Sequence, residues 1–426
     1  MSALKLHTLK QKLWAIVAAS FFARVIVFFT LPNTPSSLGP DEGTYAALTK
    51  WVGESKSVVE FPTYGQGLYL SGRSIISPAS ILYRVGIHEL DAVRLVSTVY
   101  GLCSLIMLVL LILTLQNSIA DKGVTEKFNE NLIIALLFIF AFLPSHFLWS
   151  NLGLRESATE FWLISTVVMF FIIFHYRNKI TFPSLITLFG SIVLTFSARP
   201  QVGWVLGVSL ILYLVFNLKK AITLALLPIV VCGVLLGSTL NLGTTGATST
   251  RILNPLLNAG EVVALKQQLN QVDAASVIET QSCPRENLAV VSRPPTKIDT
   301  YFCIAWRAPY MVSTFLLRPI IGVEVTSTSS LIAAAENIIW LLLFITIIAL
   351  VIKRRAVSFI RPILPALIFF ALYVLGASAY QGNMGTGFRH KSLILWATLL
   401  LILALAWRKS EETYEKPRNN SQESAV

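Results

Sequence analysis

Charged residues are scarce in this sequence. They occupy 13% of its 426 positions, and hydrophobic residues occupy 54%. A soluble protein of this length carries about 25% charged residues. Long uncharged runs recur along the chain, and many approach the ~20 residues that a helix needs to cross a bilayer. The composition therefore excludes a soluble multidomain protein and predicts one all-α, polytopic membrane domain.

Cysteine is also rare. None of the four cysteines stands in the C-x-x-C spacing of a zinc site, so no zinc centre is predicted. Cys103 and Cys232 fall inside apolar runs and are expected to pack there. Cys283 and Cys303 fall in one segment assigned to the oxidising side of the membrane, where we expect a disulfide bond between them.

Basic residues outnumber acidic ones and give a net charge of +12, but they do not gather on one face. Their spread over short polar segments excludes nucleic acid as a partner and leaves the lipid bilayer. Lys5, Lys10 and Lys12 precede the first apolar run, as in a secretory signal peptide. Arg24 interrupts that run and no small-residue cleavage site follows Leu31, so we expect a retained first span.

The alternation of apolar runs with basic segments predicts about ten transmembrane helices in the cytoplasmic (inner) membrane, with both termini cytoplasmic. The predicted spans are residues 13–31, 92–116, 131–149, 158–175, 181–198, 202–217, 221–240, 330–352, 357–378 and 391–407. They belong to one integral-membrane domain, residues 1–409, followed by a disordered cytoplasmic tail, residues 410–426.

Two extracytoplasmic loops are long, about residues 32–91 and 241–329, and we expect both to carry surface helices. The second loop contains an apolar run at 310–323 that is interrupted by Pro319. Because this run is too short to span the bilayer, a re-entrant or surface-lying helix is expected there.

Two carboxylates stand next to the membrane in residues 39–45, GPDEGTY. Proline suits the first position of a helix and acids offset its positive end, so an amphipathic surface helix is expected to begin here. Asp41 and Tyr45 share one face of that helix, while Glu42 points about 100° away. Capping is one role for the pair. Catalysis by Asp41 and Glu42 is favoured, because capping alone does not need two acids between glycines.

A carboxylate at this place suits sugar transfer from a polyprenyl-phosphate donor. The acceptor hydroxyl loses its proton as it attacks the anomeric carbon, and a nearby carboxylate can take that proton. The phosphate leaving group then develops negative charge, which cationic partners stabilise. Arginine matches phosphate oxygens because its guanidinium binds them in a bidentate way.

Five basic residues at the outer ends of spans are the candidates for binding the donor phosphate. Arg389, His390 and Lys391 follow a glycine-rich loop at the start of the last span, a good phosphate cradle. Arg155 and Arg199 come next. For any of these residues the alternative role is to reach the lipid headgroups, a common fate of arginine at the end of a span.

Other polar residues have weaker signals. Tyr45, Tyr64, Tyr69 and Arg73 are candidates for substrate contact, although tyrosine at a membrane interface is often only an anchor. Arg24 lies near the middle of the first span and is expected to find a partner, for which Glu336 is a candidate.

No cofactor is demanded by the sequence. A divalent metal is conceivable if His88 and Glu89 approach Asp41 and Glu42, because carboxylates suit such ions. Nothing in the spacing of these residues requires it.

Two stretches carry a family resemblance: residues 40–45, PDEGTY, and residues 91–101, DAVRLVSTVYG. They resemble the GT-C glycosyltransferases that use polyprenyl-phosphate sugars, such as the protein O-mannosyltransferases and lipid A aminoarabinose transferases. The resemblance implies a GT-C-like bundle with Asp41 as general base. It covers the first hundred residues or so. Residues 383–390, NMGTGFRH, depart from it and look like segments of bacterial proteins of polysaccharide assembly.

The leading hypothesis is therefore an inverting membrane glycosyltransferase with an extracytoplasmic active site and a glycan, lipid or protein acceptor. One alternative is a polymerase or ligase of lipid-linked oligosaccharides in surface polysaccharide assembly, which would use a diphosphate donor. A second alternative is a transporter or lipid flippase, which would place polar groups near the bilayer midplane.

Overall fold

The computed structural model describes residues 2–36, 41–57, 60–61, 65–120, 129–176, 180–217, 221–242, 297–320, 325, 328–353, 360–380 and 384–406. Every regular element in these ranges is a helix, which confirms the all-α class. In chain order they are α1 (Ser2–Thr30), α2 (Asp41–Gly53), α3 (Gly65–Arg84), α4 (Glu89–Ala120), α5 (Glu130–Phe142), α6 (Pro144–Asn151), α7 (Arg155–Phe171, continued by a π-turn to Tyr176), α8 (Phe182–Ala198), α9 (Pro200–Val215), α10 (Ala221–Leu242), α11 (Lys297–Leu317), α12 (Thr328–Lys353), α13 (Ile360–Tyr380) and α14 (Met384–Ala406).

Five of these helices are long and apolar enough to cross a membrane, so the chain is a polytopic membrane protein. The spanning segments are Thr8–Thr30, Glu89–Asn117, Arg155–Phe174, Ser330–Ile352 and Gly387–Ala406. The bent pair α5 and α6 makes a sixth if counted as one span. Four further predicted spans correspond to shorter apolar helices, α8, α9, α10 and α13. The predicted total of about ten is therefore not confirmed within the described residues.

The predicted span 131–149 is broken at Leu143. Pro144 has no backbone N–H to continue the helix, and it begins α6 at an angle of 43° to α5. The backbone N–H of Ser145 instead donates to the Glu336 carboxylate at 2.6 Å, deep inside the protein. Glu336 therefore satisfies the start of α6.

The predicted pairing of Arg24 with Glu336 is consequently wrong. The Arg24 guanidinium is fully buried and donates to the hydroxyls of Ser20 and Ser150, the latter at 3.2 Å. It also lies 4.9 Å from the ring centre of Phe147. A buried charge needs such partners, and α1 and α6 provide them.

Two helices, α2 and α3, lie within the first predicted outer loop, and α2 begins where a helix was expected. α2 packs against α3, and both contact α4. Between them lies a separate small core, which includes Tyr45, Leu48, Ile75 and Val93. This core holds α2 and α3 against the end of the bundle.

The second predicted outer loop is described only in part. A helix was predicted at residues 310–323. The observed helix there, α11, begins earlier, at Lys297, and ends sooner, at Leu317. Cys283, the tail at 410–426 and most of the basic connections lie outside the described residues. The disulfide between Cys283 and Cys303 and the disordered tail stay predictions.

The close approach of α4 and α6 gives the first testable prediction. A Cβ atom at Gly101 would lie 2.3 Å from Cβ of Ser150. We expect Gly101→Ala to force these helices apart and to lower the free energy of unfolding by about 1–3 kcal/mol, the usual range for overpacking. Thermal unfolding of the detergent-solubilised protein measures this.

Gly190→Ala is the matched control, because a Cβ atom there meets no other atom within 4 Å. It should be neutral or stabilise the protein slightly, since alanine favours the helix. Equal destabilisation by the two substitutions would contradict the contact.

Candidate active site

Four helices begin at the same end of the bundle and bring charged residues together. Asp41 begins α2, Arg155 and Glu156 begin α7, Arg199 precedes α9, and Arg389 lies near the start of α14. Each helix start carries partial positive charge from its unpaired N–H groups. The side chains and the helix starts together form a polar cluster with three guanidinium groups and two carboxylates.

Asp41 and Arg389 form an ion pair in this cluster. An Nη atom of Arg389 lies 3.0 Å from Oδ2 of Asp41. The Asp41 side chain is 46% exposed and the Arg389 side chain is 14% exposed. The Arg389 guanidinium also lies 6.0 Å from the ring centre of Trp149. The acid therefore faces outward, and the cation lies behind it.

A second carboxylate, Glu156, lies deeper in the cluster and was not among the predicted site residues. Its Oε1 lies 3.5 Å from Nη1 of Arg199, and both side chains are buried. Arg155 and Arg389 lie close enough to Glu156 to interact with it electrostatically. The available signal was an acid in the first turn of an apolar span, where charges are rarely accidental.

The turn between α6 and α7 positions Arg155 and Glu156. Gly153 has a φ of 64°, a left-handed conformation that favours glycine. A Cβ atom there would also lie 2.6 Å from the Val93 side chain. The Ser97 hydroxyl on α4 donates to the carbonyl oxygen of Leu154 at 3.2 Å. These contacts fix where α7 begins.

Arg199 is positioned by the junction of α8 and α9. Its backbone is extended, and Pro200 begins α9. Next to it, Nε of Arg73 donates to the Ser197 hydroxyl at 2.6 Å. α3 therefore brings Arg73, a predicted substrate contact, to the edge of the cluster.

The three tyrosines predicted to contact the substrate have different surroundings. The Tyr69 hydroxyl lies 3.3 Å from that of Ser77, within α3. Tyr64 lies outside the described residues. Tyr45 is buried beneath Asp41, and burial raises the pKa of its hydroxyl to about 12, with Asp41 adding to the shift.

Glu42 points away from the cluster. Its Oε1 accepts from Nε of Arg94 at 2.7 Å, and its Oε2 accepts from the backbone N–H of Ser36 at 2.6 Å. Arg94 also donates to the carbonyl oxygens of Pro32 and Thr34. Glu42 thus ties the chain before α2 to α4, and Asp41 is the acid of the pair that reaches the cluster.

Lys391 also points elsewhere. Its Nζ donates to the carbonyl oxygen of Arg318 at 2.9 Å and to Oδ1 of Asn337 at 2.5 Å. It links α14 to the residue that follows α11 and to α12, instead of facing the predicted phosphate. His390 is buried, and Arg155, Arg199 and Arg389 lie close enough to interact with it electrostatically.

The four residues considered for a metal do not assemble. Asp41 and Glu42 contact arginines, while Nε2 of His88 lies 3.6 Å from Oε2 of Glu89. Among the described residues, no three His, Cys, Asp or Glu side chains form a group that could hold a metal ion.

Comparison with known proteins adds no family. Neither family models, nor curated proteins, nor solved structures give a match to this chain.

The buried ion pair of Glu42 with Arg94 gives the second prediction. Removing one partner of such a pair leaves an uncompensated charge and costs about 3–5 kcal/mol. We therefore expect Glu42→Ala to destabilise the folded protein strongly in thermal unfolding. Glu54→Ala, which removes an exposed acid directly after the same helix, should change the unfolding temperature little. Similar unfolding temperatures for both variants would contradict an anchoring role for Glu42.

Proposed function

We propose that this protein is an inverting glycosyltransferase that moves a sugar from a polyprenyl-phosphate donor to an acceptor hydroxyl. The site is placed on the extracytoplasmic face of the cytoplasmic membrane. The observation that carries the proposal is the half-exposed Asp41 side chain in contact with Arg389, in front of the buried Arg199 and the half-buried Arg155.

The layered arrangement supports two substrates that arrive from different sides. Asp41 is accessible from outside, where a polar acceptor is dissolved or displayed. Arg389 and Arg199 lie behind it, near the apolar helices that would contact a lipid tail. A charged phosphate in this place would meet both guanidinium groups and the positive helix starts.

The proposed reaction uses Asp41 as the general base. As the acceptor oxygen attacks the anomeric carbon, its proton moves to the Asp41 carboxylate. The bond from the anomeric carbon to the phosphate oxygen breaks, and its electron pair stays on the phosphate. Arg389 contacts Asp41 before the donor binds and then turns to the phosphate, whose developing charge it stabilises.

Glu156 acts on this reaction indirectly. Its carboxylate lies against Arg199 and is surrounded by two further arginines. It reduces the repulsion among the guanidinium groups and holds them in one place. We therefore assign Glu156 a positioning role.

One observation favours the oligosaccharide polymerase or ligase instead. Arg73, whose Nε donates to the Ser197 hydroxyl, adds a fourth guanidinium group at the edge of the cluster. A diphosphate donor carries more negative charge than a monophosphate and would use more cations. The type of donor separates the two enzymes.

A different observation favours a transporter. Nδ1 of His146 lies 2.6 Å from Oε2 of Glu160, and both side chains are buried within predicted spans. Ionisable groups at such depth often belong to ion or substrate pathways. A transporter, however, has no evident use for an accessible acid in contact with Arg389.

The proposed base gives the third prediction. Asp41→Asn should reduce sugar transfer by about 10²–10⁴-fold, the usual contribution of a general base, without lowering the unfolding temperature. The assay follows a radiolabelled hexose leaving a polyprenyl-phosphate probe in proteoliposomes. Asp91→Asn, which also alters an acid in the first turn of a helix, is the matched control. Full transfer by Asp41→Asn would remove Asp41 from the mechanism.

The phosphate partner gives the fourth prediction. Arg389→Ala should lower kcat/KM for the donor by about 30–1,000-fold, as expected for loss of one charge-assisted contact in the transition state. Arg389→Lys should recover only part of this loss, because lysine cannot bind in a bidentate way.

Arg84→Ala serves as the control for Arg389, since this exposed arginine lies away from the cluster, bonded to the end of α2. Assays with a monophosphate and a diphosphate probe decide between the transferase and the ligase. An unchanged donor dependence in Arg389→Ala would exclude its proposed role.

A further inference from the structure

A groove of about 540 Å³ runs along α2, on a side of this helix that Asp41 does not occupy. Its wall on α2 includes Gly43, Ala47, Lys50 and Trp51, and Glu54 follows directly after the helix. The opposite wall is formed by the segment before α2, by Phe61 and by the start of α4. Its volume falls in the range of about 300–1,000 Å³ that is typical of ligand sites.

The groove follows α2 from its first turn. Gly43 and Trp51, both on the groove wall, lie eight positions apart in α2, a distance of about 12 Å at 1.5 Å per helical residue. Gly43 also lies only two positions after Asp41 and lines the groove together with Pro35. A ligand that fills the groove therefore extends from Trp51 toward the turn of helix that carries Asp41.

The groove combines aromatic rings with paired charges. The rings of Trp51 and Phe61 meet edge to face, with their centres 5.6 Å apart. Nζ of Lys56 lies 2.5 Å from Oε2 of Glu54, and hydrogen bonding from Lys56 lowers the pKa of that carboxyl group. The groove therefore presents donors, acceptors and apolar rings without a large excess of one charge.

This chemistry favours a sugar chain over other ligands. A glycan has hydroxyl groups that both donate and accept, and apolar C–H faces that pack on aromatic rings. A strongly anionic polymer would need an excess of cations along the groove, whereas Glu54 and Glu89 accompany Lys56 and His88. A lipid tail would leave these charged groups without water.

We propose that this groove binds the sugar chain of a carbohydrate acceptor, with the aromatic pair of Trp51 and Phe61 as the apolar part of the site. The assignment rests on the proposed function, because it names the acceptor of that reaction. One end of the groove lies at the first turn of α2, the turn that also carries Asp41.

The test measures binding in the absence of any donor. Fluorescently labelled linear oligosaccharides of neutral hexoses and N-acetylhexosamines are titrated against the full-length protein in nanodiscs, and anisotropy gives Kd. Wild-type protein should bind at least one probe. Trp51→Ala should weaken that binding by about tenfold or more.

Two further variants keep the test decisive. Ala47→Trp fills the groove from an exposed position of α2 and should also abolish binding, even if Trp51→Ala fails to fold. Trp306→Ala removes a 79% exposed tryptophan of α11 that does not line the groove, and should bind as the wild type does.

The outcomes test the proposed groove and the proposed transferase mechanism independently. The groove is refuted if no oligosaccharide binds the wild type, if an unlabelled peptide but no sugar displaces the probe, or if both groove variants bind normally. Loss of transfer in Asp41→Asn with normal binding in both groove variants refutes the groove alone. Normal transfer in Asp41→Asn with loss of binding in the groove variants refutes the proposed base alone.

Discussion

The buried ion pair between Glu42 and Arg94 is the constraint on which the site depends. It fixes the first turn of α2 against α4, and Arg94 also binds the chain that leads into that turn. Because successive helical residues point about 100° apart, an inward Glu42 leaves Asp41 on a different face. The two neighbouring acids thus have different roles. One is desolvated and holds the helix, and the other stays accessible beside Arg389.

The cluster is electrostatically consistent with this division. Helix starts and arginines give its interior an excess of positive charge, which Glu156 and Asp41 only partly offset. Like charges held together in a buried site are stable only when opposite charges or a bound anion accompany them. An anionic donor would complete the balance, while a neutral acceptor would be received at the exposed edge. The charge distribution therefore agrees with the proposed positions of the two substrates.

The sequence predicted most of the residues of the cluster, but not which of them contact each other. The apolar runs predicted the all-α membrane class, and the acids after proline predicted the start of α2, because both are local properties. Glu42 and Asp41 look alike in the sequence, because the partner that distinguishes Glu42, Arg94, lies 52 positions further along the chain. The three basic residues at 389–391 also look alike, but helical geometry directs Arg389 to Asp41 and Lys391 to Asn337. Depth and partner are tertiary properties that periodicity alone does not specify.

The breaks in the helices matter to the site as much as the helices do. Pro144 ends α5 and starts the short α6, which packs closely on α4 at Gly101. α6 then places Trp149 under Arg389, and the left-handed Gly153 turns the chain so that Arg155 begins α7. An unbroken span from residue 131 would carry these groups in a different direction and would form no turn at this depth. The irregular backbone is buried in protein here, the setting in which a membrane protein tolerates it. The interruptions of the apolar pattern, more than its continuity, are therefore what place cationic groups behind an accessible acid.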